Sequence, residues 1–88
     1  MASYAIDLKR SAERDLRKLP PSLVPTIVNR VEALANDPFP RQSAKLVGSD
    51  VTYRLRAGVY RIIYEVDSDT RVITVHHIRH RREAYRQT

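Results

Sequence analysis

The strongest hydrophobic pattern in the chain lies in residues 51–66, VTYRLRAGVYRIIYEV, where apolar and polar residues alternate on both sides of one glycine. Alternation with Tyr, Val and Ile is typical of β-strands, and a short join that contains glycine is typical of a hairpin. We therefore expect two antiparallel strands joined by a two-residue loop at Ala57 and Gly58.

Three arginines of this hairpin are predicted to share one face of the sheet. With that loop, Arg56 lies opposite Val59 and Arg54 lies opposite Arg61. Opposed residues share a face, and so do residues two apart on one strand. Three like charges repel one another there, so an anion or solvent must compensate. The simpler interpretation is a solvated face that Glu65 partly neutralises.

Two amphipathic helices are predicted before the hairpin. In the first, Ser11 is a suitable N-cap, apolar residues recur at helical spacing, and Pro20 and Pro21 end the helix. In the second, Ser22 is the cap and a broad apolar stripe follows, with Pro25 in the first turn, where a missing N–H is tolerated. The short proline turn between them indicates an αα-hairpin whose apolar stripes face one sheet.

Further strands are predicted at residues 4–8 and 72–78, and residues 45–47 are compatible with a short strand before the hairpin. The resulting order is β-α-α-β-β-β. This order is typical of an α+β fold in which a helical hairpin packs on one face of a small, mostly antiparallel sheet. Because 88 residues provide room for one core, we expect a single domain over residues 1–88.

Composition narrows the function classes. The formal net charge is +6, which favours phosphate-bearing partners or an acidic protein. The absence of cysteine excludes disulfides and thiolate metal sites and suits a cytoplasmic location. The apolar stretches are too short to span a membrane, so we expect no membrane association.

We expect neither a metal nor another cofactor. His76 and His77 are consecutive on the last predicted strand, so they should point to opposite faces and not bind one ion together. The sequence contains no compact cluster of carboxylates that would take their place.

Five short stretches, in this order, resemble one known family. They are residues 11–20 (SAERDLRKLP), 45–46 (KL), 53–56 (YRLR), 58–64 (GVYRIIY) and 78–85 (IRHRREAY). Together they resemble the RelE/ParE toxin superfamily of bacterial type II toxin–antitoxin systems, which is known for this order of elements. The chain looks more similar to the RelE branch, metal-independent ribonucleases that cut mRNA in the ribosomal A site, than to the ParE branch, which acts on DNA gyrase.

The resemblance implies a toxin that is an mRNA endonuclease and inhibits translation, with the ribosome and a cognate antitoxin as partners. A ParE-like, non-catalytic inhibitor of gyrase is the alternative, and a non-catalytic nucleic-acid-binding module is a third interpretation. If the ribosome is the partner, the basic residues of the first helix would bind rRNA phosphates. The simpler interpretation of these residues is a solvated face. They are Lys9, Arg10, Arg14, Arg17 and Lys18.

Cleavage by the ribose 2′-OH needs a base, cations for the charge on phosphorus, and a proton for the leaving oxygen. The resemblance implies Arg61 on the scissile phosphate, Arg81 near the leaving oxygen, and Tyr85 as the residue that orients or deprotonates the 2′-OH. His80 is the other candidate for that proton, because imidazole titrates near neutrality. The expected RNA or phosphate contacts are Arg54, Arg56, Lys45, Arg79 and Arg82.

Arg79 is a departure from the family pattern, which commonly has glycine before the His-Arg pair. A side chain at this position either narrows the site or adds a phosphate contact.

Overall fold

The structure is a computed structural model that describes residues 3–82, so Tyr85 lies outside the described residues. Its elements are β1 (Ala5–Leu8), α1 (Arg10–Lys18), a 3₁₀ turn (Pro21–Leu23), α2 (Val24–Ala33), β2 (Ser43–Lys45), β3 (Thr52–Ala57), β4 (Tyr60–Asp67) and β5 (Val72–His80). The strands form one sheet in the order β1-β5-β4-β3-β2, in which only the β1–β5 pair is parallel. The predicted α+β fold is confirmed, and the short strand lies two residues earlier than expected.

The core lies between the two helices and one face of the sheet. Burial of a large apolar side chain contributes about 1.5–3 kcal/mol, so this layer is the main source of stability. Tyr64 is fully buried and donates a hydrogen bond to the carbonyl oxygen of Pro38 at 2.6 Å. Burial raises the pKa of Tyr64. The buried residues come from the helices and the residues that directly follow them (Ala12, Leu19, Ile27, Val31, Leu34) and from the sheet (Leu55, Ala57, Ile62, Tyr64, Val66, Ile73, Val75, Ile78).

The helix starts differ from the prediction. Lys9, not Ser11, is at the N-cap of α1, and the Ser11 hydroxyl instead donates to the carbonyl oxygen of His76 at 2.6 Å. Ser22 lies in the 3₁₀ turn and Leu23 is at the N-cap of α2, without a side-chain hydrogen bond. Because α1 packs against β5, the Ser11 hydroxyl can reach the backbone of the strand. It satisfies a carbonyl oxygen at the sheet edge that would otherwise lack a hydrogen-bond donor from the protein.

The hairpin loop consists of Gly58 and Val59, one residue later than predicted, so Arg56 pairs with Arg61. Gly58 has φ +64°. A two-residue loop with positive φ at its first position is typical of a type II′ turn, which requires glycine there. The later loop moves the pairing partner of each β3 residue by two positions along β4, so every side chain keeps its predicted face of the sheet. Arg54, Arg56 and Arg61 therefore still share one face.

We expect Gly58→Ala to lower the free energy of unfolding by about 1–2 kcal/mol, the cost of a left-handed backbone for an L-residue. A Cβ at this position would meet no atom within 4 Å, so the loss would arise from the backbone and not from a clash. Urea titration followed by circular dichroism measures it. Val59→Ala, at the next loop position, should change the free energy by less than about 0.5 kcal/mol. Equal losses in both variants would contradict the type II′ interpretation.

A β-bulge interrupts the ladder between β4 and β5. His77 pairs with Ile63 and Val75 pairs with the next residue of β4, which leaves His76 unpaired between them. His77 lies on the sheet face away from the core because it pairs with Ile63. His76 lies on the same face, because its Nε2 is 3.1 Å from a carboxylate oxygen of Glu65, which shares that face with Ile63. The prediction that His76 and His77 point to opposite faces was wrong, since a bulge cancels one step of the alternation.

Within residues 3–82 no helix is both long enough and apolar enough to cross a lipid bilayer.

Candidate active site

An arginine row crosses three adjacent strands on the sheet face away from the helices. Arg56 of β3 pairs with Arg61 of β4, which pairs with Arg79 of β5. Adjacent strands lie about 4.8 Å apart, so the three Cα atoms occupy a short line across the sheet. Arg54 lies on the same face, two residues from Arg56 along β3. The structure thus brings together four of the predicted cationic residues, including Arg79.

Arg61 is the buried member of this row, with 6% of its surface exposed, whereas Arg56 is exposed. The difference follows from position, because Arg61 has a paired residue on both neighbouring strands, whereas β2 pairs only with residues 53–55 of β3 and ends before Arg56. A guanidinium remains charged at any ordinary pH and presents a planar fork of donors that matches phosphate oxygens. A charged group held beside two others of the same sign creates a positive potential that attracts an anion.

Helix α1 completes the edge of β5 beyond the end of β1. The parallel partner β1 pairs only with residues 72–75. Past that point two side chains one helical turn apart, Ser11 and Asp15, bond to the β5 backbone. The Ser11 hydroxyl donates to the carbonyl of His76, and the Asp15 carboxylate accepts from the N–H of Ile78 at 2.9 Å. These two hydrogen bonds take the place of those that a neighbouring strand would make, and they fix the position of α1 along β5.

The same carboxylate holds the side chain of Arg79. Asp15 Oδ2 lies 3.4 Å from Arg79 Nε and 3.5 Å from His77 Nδ1, and an Arg79 terminal nitrogen lies 3.1 Å from His77 Nδ1. Asp15 has 13% of its side chain exposed, so this contact is largely shielded from solvent. Arg79 is therefore anchored at the edge of the sheet between His77 and α1.

Asp15→Ala is expected to lower the free energy of unfolding by about 1–3 kcal/mol, because it leaves the Ile78 N–H and the Arg79 Nε without their acceptor. Urea titration measures the loss. Glu13→Ala, which removes an exposed acid from the same helix, should cost less than about 0.5 kcal/mol. Asp15→Asn keeps an acceptor and should fall between the two. A loss for Asp15→Ala no larger than for Glu13→Ala would contradict the anchoring role.

His80 is not on the face of the arginine row. It pairs with Tyr60, a residue of the helix-facing side, and the two rings meet edge to face with centroids 5.5 Å apart. His80 Nδ1 accepts a hydrogen bond from the backbone N–H of Arg82 at 3.3 Å. In the neutral ring this bond assigns the proton to Nε2, which makes that nitrogen a donor.

The remaining predicted contacts lie at the periphery. Lys45 pairs with Tyr53 and is exposed on the face opposite to Arg54, so the structure does not bring it into the arginine row. The backbone N–H of Arg81 donates to the carbonyl of Val59 at 2.7 Å, which places Arg81 beside the hairpin loop. Arg82 is exposed one residue further along the chain.

Sequence reasoning assigned no role to Asp15 or His77, which hold Arg79. The available signal was the spacing of Ser11 and Asp15, two polar residues one turn apart on the helix face that also carries the buried Ala12. Among the described residues, no group of three His, Cys, Asp or Glu side chains is close enough to hold a metal ion.

Comparison with known proteins agrees with the fold and the element order. A model of the family described as ParE toxin of the type II toxin–antitoxin system parDE matches residues 6–85. The chain is 33% identical over 86 residues to RelE1 of Methanocaldococcus jannaschii, covering 94% of this chain and 96% of that protein. It is 28% identical over 91 residues to toxin RelG of Mycobacterium tuberculosis, covering 96% and 98%.

The fold also matches the archaeal RelE–RelB complex of Pyrococcus horikoshii OT3, with a TM-score of 0.80 and 27% identity over 90% of this chain and 96% of that one. The region that the family model matches, residues 6–85, includes both helices and all three strands that carry the arginine row. The chain therefore belongs to the RelE/ParE superfamily of toxins from type II toxin–antitoxin systems.

Proposed function

We propose that this chain is a ribosome-dependent mRNA endonuclease that inhibits translation. The cut would proceed without a metal, by attack of the ribose 2′-OH on the adjacent phosphate and expulsion of the 5′-oxygen. The observation that carries the proposal is the arginine row, in which the nearly buried Arg61 lies between Arg56 and Arg79. Fixed guanidinium groups are suited to the charge that develops on phosphorus.

In this proposal Arg61 contacts the scissile phosphate, and Arg54, Arg56 and Arg79 bind the flanking negative charge. Arg81, whose backbone N–H is bonded to the hairpin loop, donates a hydrogen bond to the leaving 5′-oxygen, and that oxygen takes its proton from water because a guanidinium does not give one up. Arg82 lies at the periphery and contacts the RNA further from the cut. Lys45 is exposed on the opposite face of the sheet, so we assign it no contact at the cut.

Of the two candidates for the 2′-OH proton, we favour Tyr85. His80 shares its sheet face with Tyr60 and not with Arg61, and its Nδ1 already accepts a hydrogen bond. A neutral His80 with its proton on Nε2 and a hydrogen bond already accepted at Nδ1 has no free acceptor nitrogen to serve as the base. Tyrosine titrates near pH 10 when unperturbed, and a guanidinium group close to a phenol favours the phenolate.

The proposed partners are a cognate antitoxin, the ribosome with mRNA in its A site, and rRNA phosphates. The antitoxin is supported by the matched structure from P. horikoshii, described as a RelE–RelB complex. An acidic or amphipathic segment laid across the arginine row would block access to the site and complement its charge. The rRNA contact rests on the basic side chains of α1, which lie on a different surface from the row.

Primer extension on mRNA from translating ribosomes tests the proposal. We expect discrete cuts within codons when the purified chain is added, and none when free mRNA replaces the ribosomal complex. Intact mRNA in the presence of the chain would contradict it.

Inhibition of DNA gyrase is the second candidate, and it is favoured by the description of the matching family model as ParE toxin. It needs no proton-transfer group. A supercoiling assay with purified gyrase, in which broken or relaxed DNA appears while mRNA stays intact, would support this candidate over the nuclease.

A further inference from the structure

A cleft of about 330 Å³ lies between α1 and the end of β5, beside the Arg79 end of the arginine row. We call it the α1–β5 cleft. Arg14 and Lys18 line it from the helix, Tyr60 lines it from β4, and Arg79 and His80 line it from β5. Its volume is at the lower end of the range of about 300–1,000 Å³ that is typical of small-ligand pockets.

The charge of this cleft is positive. Arg14 and Lys18 are both exposed, and neither makes an ion pair within residues 3–82. The acid in the lining, Asp15, is already engaged by the N–H of Ile78 and by Arg79. Two cations one helical turn apart thus face the cleft without an internal counter-charge.

The cleft also presents an aromatic wall. The rings of Tyr60 and His80 meet edge to face, and Tyr60 is partly buried, so the wall is held by the sheet. Single-stranded nucleic acids bind to this combination of a cationic groove for the backbone and an aromatic surface for the base. A surface that bound only phosphate charge would need no aromatic side chain, so the Tyr60 and His80 rings favour a ligand that carries a base.

Arg79 connects the cleft to the arginine row. Its backbone pairs with that of Arg61 in the sheet, while its guanidinium forms a salt bridge with Asp15 in the cleft lining. An RNA strand lying along the row therefore reaches the cleft by passing the end of β5.

We propose that the α1–β5 cleft binds one nucleotide of single-stranded RNA next to the cut. Arg14 and Lys18 hold its phosphate, and the base packs against Tyr60 and His80. This rests on the proposed function in taking that nucleotide to belong to the mRNA strand. It also divides the basic residues of α1 into a cleft-facing pair and a pair directed elsewhere, Arg10 and Arg17.

The test compares two double variants with equal loss of charge. Fluorescence anisotropy measures binding of a labelled 2′-O-methyl RNA tetranucleotide, which lacks the attacking hydroxyl, to the purified full chain. R14Q/K18Q should weaken binding at least tenfold. R10Q/R17Q removes the same charge from the same helix outside the cleft and should weaken binding no more than threefold. Equal weakening in both would mean a general electrostatic effect and would overturn the site.

Two further arms complete the design. His80→Ala should weaken binding of the tetranucleotide on its own, and unchanged binding would remove the aromatic wall from the proposal. Unlabelled uridine 3′-monophosphate should compete only at concentrations at least tenfold above those of unlabelled tetranucleotide. Equal competition would show a free-nucleotide site and overturn the assignment to an RNA strand. Because no ribosome or cleavage is involved, these results are independent of whether the chain cuts mRNA.

Discussion

Arg61→Gln should reduce cleavage of ribosome-bound mRNA about 100- to 1,000-fold, the range observed when one preorganised donor to a developing oxyanion is removed. Glutamine retains a hydrogen-bonding side chain of similar reach but lacks the positive charge and the fork of donors. The row would keep Arg56 and Arg79 on the neighbouring strands, so the loss isolates the central guanidinium. Single-turnover primer extension at saturating toxin measures the rate of the chemical step.

Two controls make this result specific. Arg41→Gln removes the same charge from an exposed loop position and should leave the rate within threefold of the parent chain. Because Arg61 is buried, urea titration must show that Arg61→Gln is folded under assay conditions. A folded Arg61→Gln variant that cuts at the parental rate would remove the arginine row from the mechanism.

Tyr85→Phe should lower the single-turnover rate about 100-fold or more, since positioned proton transfer contributes about 10²- to 10⁴-fold. The substitution deletes only the hydroxyl that would orient or deprotonate the 2′-OH. A substrate with a 2′-deoxy sugar at the cut site provides a matched control, because it removes the nucleophile and should make the parent chain and the variant equally inactive.

His80→Ala provides the contrast. Its position beside Tyr60 predicts a rise in the toxin concentration needed for half-maximal cleavage, with the saturated rate within tenfold of the parent chain. The opposite pattern, in which His80→Ala loses 100-fold in the saturated rate and Tyr85→Phe loses little, would exchange the roles of the two residues.

Most of the fold could be predicted because it depends on patterns that are local in the sequence. Alternation over residues 51–66 and helical spacing over the two preceding segments report which side chains are buried, and burial selects the α+β arrangement. The hairpin loop was misplaced by one residue. The position of Gly58 at the start of a two-residue loop was the available signal, because only the first position of a type II′ turn needs its positive φ.

The candidate site was only partly predictable. The shared face of Arg54, Arg56 and Arg61 follows from the two-residue period of a strand. This prediction was correct despite the wrong register, because the register was wrong by two residues and an even shift leaves each side chain on the same face. The faces of His76 and His77 were mispredicted, because a bulge depends on the partner strand and leaves no alternating signature in one sequence.

By itself, the sequence determined the order and type of the main helices and strands, the buried face of the sheet and the positive charge of the hairpin, since these depend on residue type and periodicity. Only the tertiary structure decided that Arg79 joins Arg61 across β4 and β5, that Asp15 of α1 holds Arg79, and that His80 lies on the other face. The physical reason is distance along the chain. Asp15 and Arg79 are separated by 64 residues, and only the docking of α1 on the open edge of β5 brings their side chains into contact.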